Sequence, residues 1–260
     1  MIVNDNKKIL YGAVPKVANT NFRRVFLGLN GVVPKDKVKN ISGYDVYGVH
    51  SDKIKTIAKL PKKDQEKRLE TYRKFTFVRE PLERLLSGYR NKFFHPNQAH
   101  RDVFYDSVKR YYEIHQEKRN QHRMRTSFLR SPITFKEFVT YIIDCFDTNE
   151  IVNEHFLPQY ILLKPCKVSY DFIGKYETLD RDFKFIFQQL GIDLRFPDRQ
   201  DNYSSVSTSS LVEAYYSELP SDMLQAILNI LLPDYTLFGY RIPTWVQQTL
   251  QNRSDVDVAG

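Results

Sequence analysis

The chain has 260 residues, 42% of them hydrophobic and 14% aromatic, enough to bury a large core and too apolar for a mainly disordered protein. Its 39 Lys and Arg outweigh 31 Asp and Glu, and the net charge of +8 favours a polyanionic partner: nucleic acid, an anionic membrane or an acidic polysaccharide. The only cysteines, Cys145 and Cys166, exclude a disulfide framework and a four-cysteine zinc site.

In chain order, Ile9 to Val14 is expected as a short strand that runs into a polar turn, Pro15 to Asn21. Phe22, Val25, Phe26 and Leu29 then follow at helical spacing. Strand, anion-sized loop and helix in this order open an α/β nucleotide fold with a central, mostly parallel sheet flanked by helices. Asp45 to Val49 predicts a second strand, with His50 at its C-terminal end and Ser51 as the cap of the next element. Phe75 to Val78 predicts a third strand, and Pro81 suits the first turn of a helix presenting Leu82, Leu85, Leu86 and Tyr89. From Lys109 to Arg130 there are seven Lys or Arg against two Glu, read either as a solvated face or as a surface for an acidic glycan. Helices are expected over Phe135 to Phe146, Asp180 to Leu190 and Met223 to Leu232, the last stopped by Pro233, with a buried strand over Val168 to Ile173. No repeat or low-complexity tract interrupts the chain, so residues 1–260 are read as one domain with a fraying polar tail from about 247. No apolar run of about 18 residues is present, and the first ten residues lack the apolar centre of a signal peptide. Three glycosylation sequons, at Asn40, Asn202 and Asn252, permit a secretory address without establishing one.

Two segments carry candidate phosphate chemistry. The first is Pro15-Lys16-Val17-Ala18-Asn19-Thr20-Asn21, between a strand and a helix. Backbone N–H groups at a helix N-terminus lack partners and carry the positive end of the helix dipole, so they suit a phosphate. Lys16 adds a full charge, and the Arg23–Arg24 pair opposes the dipole unless an anion sits nearby. Taken alone, the segment is equally an ordinary polar turn with a surface lysine. It is not the glycine-rich loop of the nucleoside-triphosphate enzymes. The second segment is Val78-Arg79-Glu80-Pro81-Leu82-Glu83-Arg84-Leu85-Leu86-Ser87-Gly88-Tyr89-Arg90-Asn91-Lys92-Phe93. An arginine ending a strand can present its planar fork to a phosphate, though singly Arg79 is equally a structural ion-pair residue.

Together these segments resemble the Golgi carbohydrate sulfotransferases, most closely the group that sulfates chondroitin, dermatan and terminal GalNAc or glucuronic acid. A third stretch agrees: Asn153-Glu154-His155-Phe156-Leu157-Pro158-Gln159, then Pro165-Cys166, then Tyr170 to Leu179. The resemblance covers about residues 10–190 and implies a P-loop-like sulfotransferase fold. It implies 3′-phosphoadenosine 5′-phosphosulfate (PAPS) as sulfuryl donor, an acidic glycan as acceptor, no metal, no nucleic-acid partner and a Golgi-lumenal address. It assigns the 5′-phosphosulfate to Lys16, Val17, Ala18, Asn19, Thr20 and Asn21, and the 3′-phosphate to Arg79 and Ser87. Asn19 stands where many relatives carry Cys, Phe22 and Phe156 replace the usual Trp, and the first cysteine of a Cys-x-x-Pro-Cys pair is absent. Relatives carry an N-terminal membrane anchor, so the chain is read as a trimmed domain or a soluble relative.

Sulfuryl transfer needs in-line geometry, stabilised equatorial oxygens and help for the leaving phosphate oxygen, a role that falls to Lys16. A sugar hydroxyl is a poor nucleophile, so a general base is expected. Among six histidines, His50 comes first because it is placed at a strand end between the two phosphate motifs, where related uronyl sulfotransferases carry a catalytic histidine. His155 is second, and Glu154 comes third. The competing classes are a nucleotide-kinase-like enzyme, for which no phosphate loop or Mg²⁺-binding motif speaks, and a non-catalytic polyanion binder, which leaves two separate phosphate motifs without a reason.

Overall fold

The structure is a computed structural model that describes residues 1–94, 104–112, 133–197 and 207–258. In chain order the elements are β1 (Ile2–Asn4), β2 (Ile9–Gly12), α1 (Asn19–Leu29), α2 (Gly43–Tyr47), α3 (Lys62–Thr71), β3 (Arg73–Val78) and α4 (Pro81–Tyr89). Next come α5 (104–112), α6 (Phe135–Asp147), α7 (Gln159–Leu163), β4 (Phe172–Lys175), α8 (Leu179–Gln189), α9 (Val212–Ser217), α10 (Ser221–Leu237) and α11 (Thr244–Val258). They fall into two compact units, residues 1–80 with 159–201 and residues 81–158 with 202–260.

The first unit holds a four-stranded sheet in the order β1-β2-β3-β4. β1 pairs antiparallel with β2, while β2–β3 and β3–β4 are parallel. β3 has strand partners on both sides, and from Lys74 to Val78 every residue is buried, as expected of a central parallel strand. Helices α1 and α8 cover it with rings: Phe22 lies 4.5 Å from Tyr11 and 4.8 Å from Phe77, and Phe187 lies edge-on to Phe75. In β4, Gly174 pairs with Phe77, whose ring would lie 2.4 Å from any Cβ there, so only glycine lets the strands close.

The second unit is helical. Leu82, Leu85, Leu86 and Tyr89 form the expected buried stripe of α4. They share a core with Phe93, Phe135, Phe138, Phe156, Tyr216 and the apolar face of α10. A reciprocal capping box starts α6: Thr134 accepts from the Glu137 N–H while Glu137 accepts from the Thr134 N–H.

Several expectations are corrected. Residues 43–47 form a helix rather than a strand, because Ser42 caps them by accepting from the Asp45 N–H and donating to Asp45 Oδ2. His50 therefore comes after a helix and precedes a 3₁₀ turn, Ser51–Lys53, which Ser51 opens rather than caps. The strand expected at 168–173 begins at Phe172 and is half open, with Ile173 exposed. Pro233 does not end its helix: the apolar face of α10 continues to Tyr235, and burial there outweighs the one backbone bond a proline removes. The polar tail is helical to Val258. Of the basic stretch 109–130, only 109–112 lie among the described residues, and they are helical. No helix among the described residues is long and apolar enough to cross a membrane.

Candidate active site

In the first unit, β2 ends at Gly12 and the chain turns through Pro15–Ala18 into α1. Val14 and Val17 are fully buried and hold the turn against the core. Lys16 and Ala18 both adopt the left-handed backbone conformation, with φ of 70° and 50°. Non-glycine residues there cost of order 1–3 kcal/mol each, so the surrounding packing imposes this shape. In this turn the N–H groups of Val17, Ala18, Asn19 and Thr20 donate to no described residue. Left-handed residues that leave successive N–H groups unpaired at the start of a helix form the kind of nest that receives an anion. An anionic phosphate group therefore fits the loop by its donors as well as by its charge.

The side chains of the loop divide. Thr20 Oγ1 lies 3.3 Å from the Tyr47 hydroxyl, and the Arg23 guanidinium sits 4.9 Å from the centre of the Tyr47 ring. Asn21 is buried and committed, its Oδ1 accepting from Arg24 and its Nδ2 donating to the Pro197 carbonyl. Arg24 is buried as well and donates through Nε to the Ile41 carbonyl at 2.8 Å. Arg24 is thus accounted for by structure, and no anion is needed to explain it.

Arg79 lies one residue beyond β3 and is buried. Its Nη1 donates to the Lys16 carbonyl at 3.1 Å, and its guanidinium carbon stands 4.3 Å from the centre of the Tyr176 ring. The structure thereby brings the strand-end arginine to the lysine loop. The main chain of Arg79 is held by Gln159, and the Glu80 N–H donates to Glu177 Oε1 at 2.7 Å. His50 is part-buried, and its ring makes no hydrogen bond with a described residue.

In the second unit, the turn 153–157 carries His155. Asn153 Oδ1 accepts from the His155 N–H at 3.0 Å and lies 2.8 Å from Nδ1. The backbone donor fixes this atom as the amide oxygen, so Nδ1 carries the ring proton and Nε2 is the basic nitrogen. Arg84, 1% exposed, donates through Nη1 to the Leu157 carbonyl at 2.7 Å and through Nη2 towards that of Glu154. A Cβ at Gly88 would stand 3.1 Å from the His155 carbonyl, so glycine lets α4 approach the turn. Lys92 is buried over the Phe104 ring, and burial depresses its pKa against the pull of Glu154. The Phe104 ring in turn meets His155 edge-on. Ser87 is part-buried on the same helix as Arg84.

The motifs gave candidate roles to Lys16, Arg79 and His155 and none to the residues bonded or stacked against Arg79 or the His155 turn: Gln159, Tyr176, Asn153 and Arg84. Their signal was present, since all four stand inside the quoted motifs, but only their partners distinguish a buried clamp from a surface residue.

Comparison with known proteins bears on both units. The sulfotransferase family profile matches residues 1–241. The chain is 36% identical over 245 residues to carbohydrate sulfotransferase 14 of Danio rerio, covering 94% of this chain and 62% of that protein. It is 34% identical over 246 residues to human carbohydrate sulfotransferase 9 (93% and 53%) and 31% identical over 254 residues to mouse carbohydrate sulfotransferase 11 (95% and 68%). The chain thus spans about three fifths of the length of carbohydrate sulfotransferase 14. No solved structure matches it. A profile match across both units, a mostly parallel sheet and a lysine loop joined to a strand-end arginine agree: the chain belongs to the sulfotransferase family.

Proposed function

We propose that the two units make up one catalytic domain, which transfers a sulfuryl group from PAPS to a hydroxyl of an acidic glycan of the chondroitin or dermatan type. The observation that carries this reading is the donor nest at Val17–Thr20 with Arg79 bonded to the Lys16 carbonyl. The named activities of the relatives and the +8 charge support a glycan acceptor. A Golgi-lumenal site of action is inferred from the same likeness.

The bound donor supplies the activated sulfuryl group, and everything else falls to the chain's own residues. The Val17–Thr20 amides and Lys16 hold the 5′-phosphosulfate, and Lys16 neutralises charge growing on the leaving oxygen. Arg79 holds the 3′-phosphate, and the family resemblance adds Ser87 as a further phosphate-binding candidate. Asn21 contributes through the shape of the loop, its side chain being committed to Arg24 and Pro197. A histidine takes the proton of the acceptor hydroxyl. His155 is the better-prepared base, because Asn153 fixes its tautomer with Nε2 basic, whereas the strand end that recommended His50 is a helix end.

The test is nucleotide selectivity. Arg79→Ala should weaken binding of adenosine 3′,5′-bisphosphate about 10–100-fold, the size of about 1.5–3 kcal/mol for hydrogen bonds to a charged group. Binding of adenosine 5′-phosphate should barely change. Equal losses in calorimetry for the two nucleotides would overturn the assignment.

A further inference from the structure

We infer that Gln159 is a positioning residue for donor binding: its side-chain amide replaces the missing strand partner of Arg79 and fixes where that guanidinium points. This rests on the reading of Arg79 as the 3′-phosphate ligand.

Sheet pairing around β3 stops before Arg79. Its last partners are Gly12 opposite Thr76 on one side and Lys175 opposite Val78 on the other. The next residue still has a buried main chain with a donor and an acceptor to satisfy. Gln159, 0% exposed as the first residue of α7, meets both. Its Oε1 accepts from the Arg79 N–H at 2.9 Å, and its Nε2 donates to the Arg79 carbonyl at 2.8 Å. The two main-chain groups leave no choice of amide orientation, since an N–H only donates and a carbonyl only accepts. A primary amide is the side-chain group that offers donor and acceptor together in the plane of a peptide. Asparagine would sit one methylene short, and glutamate would lose the donor.

The consequence reaches the site through the side chain of Arg79. With the main chain clamped, the guanidinium packs 4.3 Å from the Tyr176 ring centre and bonds to the Lys16 carbonyl. A release of the clamp frees the backbone from which that fork is aimed. Ligand-binding side chains depend on supporting bonds of this kind for their placement.

The readout is the ratio of affinities for adenosine 3′,5′-bisphosphate and adenosine 5′-phosphate, measured by calorimetry on the whole chain. Gln159→Leu keeps most of the volume and removes both bonds, so the ratio should fall about tenfold, towards that of Arg79→Ala. Gln159→Glu keeps the bond from the Arg79 N–H and should fall less. In the double variant, adding Gln159→Leu to Arg79→Ala should lower the ratio no further, because both changes act on one interaction. General loosening of the fold would lower both affinities together and leave the ratio intact, and that outcome overturns the proposal. Should Gln159→Leu fail to fold, Gln159→Glu is read by the same ratio. If Arg79→Ala itself leaves the ratio unchanged, the phosphate reading of Arg79 fails. If Arg79→Ala lowers the ratio and both Gln159 variants keep it, only the role of Gln159 fails.

Discussion

The two units hold their candidate functional groups by different means. In the sheet-bearing unit the main chain carries the candidate groups: left-handed residues at Lys16 and Ala18 flank N–H groups that donate to no described residue, and Gln159 clamps the backbone of Arg79. In the helical unit a side chain is held by a side chain, with Asn153 setting the tautomer of His155 and Arg84 anchoring the turn through two carbonyls. Main-chain donors suit a ligand bound by fixed charge and shape. A side chain that exchanges a proton needs a neighbour to choose which nitrogen is basic. Under the proposed function, the first arrangement suits donor binding and the second suits proton transfer.

Two histidines offer the largest break in this contrast. His155→Ala should lower kcat about 10²-fold or more, the size of a lost general base, with binding of adenosine 3′,5′-bisphosphate intact. His50→Ala should cost far less, since no described residue orients that ring. If the two results are exchanged, the base belongs to the first unit and the division of labour is wrong. If both variants keep most of their turnover, the base is not a histidine, and Glu154 takes its place.

Much of the frame was legible in the sequence. β2 and β3 can be read from short apolar runs buried on both faces, and α1, α4, α6 and α8 from apolar spacing, because each of these helices turns one face to a core. Misreadings arose where a local polar bond outweighed the pattern. Asp45 to Val49 reads as a strand, yet the Ser42–Asp45 cap makes Gly43–Tyr47 a helix. The reverse happened at Pro233, where burial of Leu231 and Tyr235 carries a helix past a breaker. Lys16, Arg79 and His155 could be named as candidates from their motifs. Gln159 and Arg84 could not, because a buried amide or guanidinium takes its role only from partners 80 and 70–73 residues away in sequence.

A smaller effect separates the units by pH. Asp5 in the first unit accepts from Arg68, Lys55 and Tyr72, and the Arg68 bond leads in holding its pKa down to about 2. An unfolded aspartate titrates near about 3.9, so this contribution is complete above that pH and disappears as the pH falls through about 2. Asp5→Asn should lower the melting temperature near neutrality by about 2–4 °C or less and make the acid limb of stability shallower. An unchanged acid limb in the variant would show that Asp5 does not couple the sheet-bearing unit to pH.

Sulfuryl transfer itself can be followed with isotope-labelled PAPS. The chain should move label onto desulfated chondroitin or dermatan and release adenosine 3′,5′-bisphosphate in equal amount, while ATP with Mg²⁺ should yield no phosphorylated glycan. Tight binding of these glycans and of desulfated heparin with no label incorporated would contradict the account and leave a polyanion-binding protein on a sulfotransferase frame.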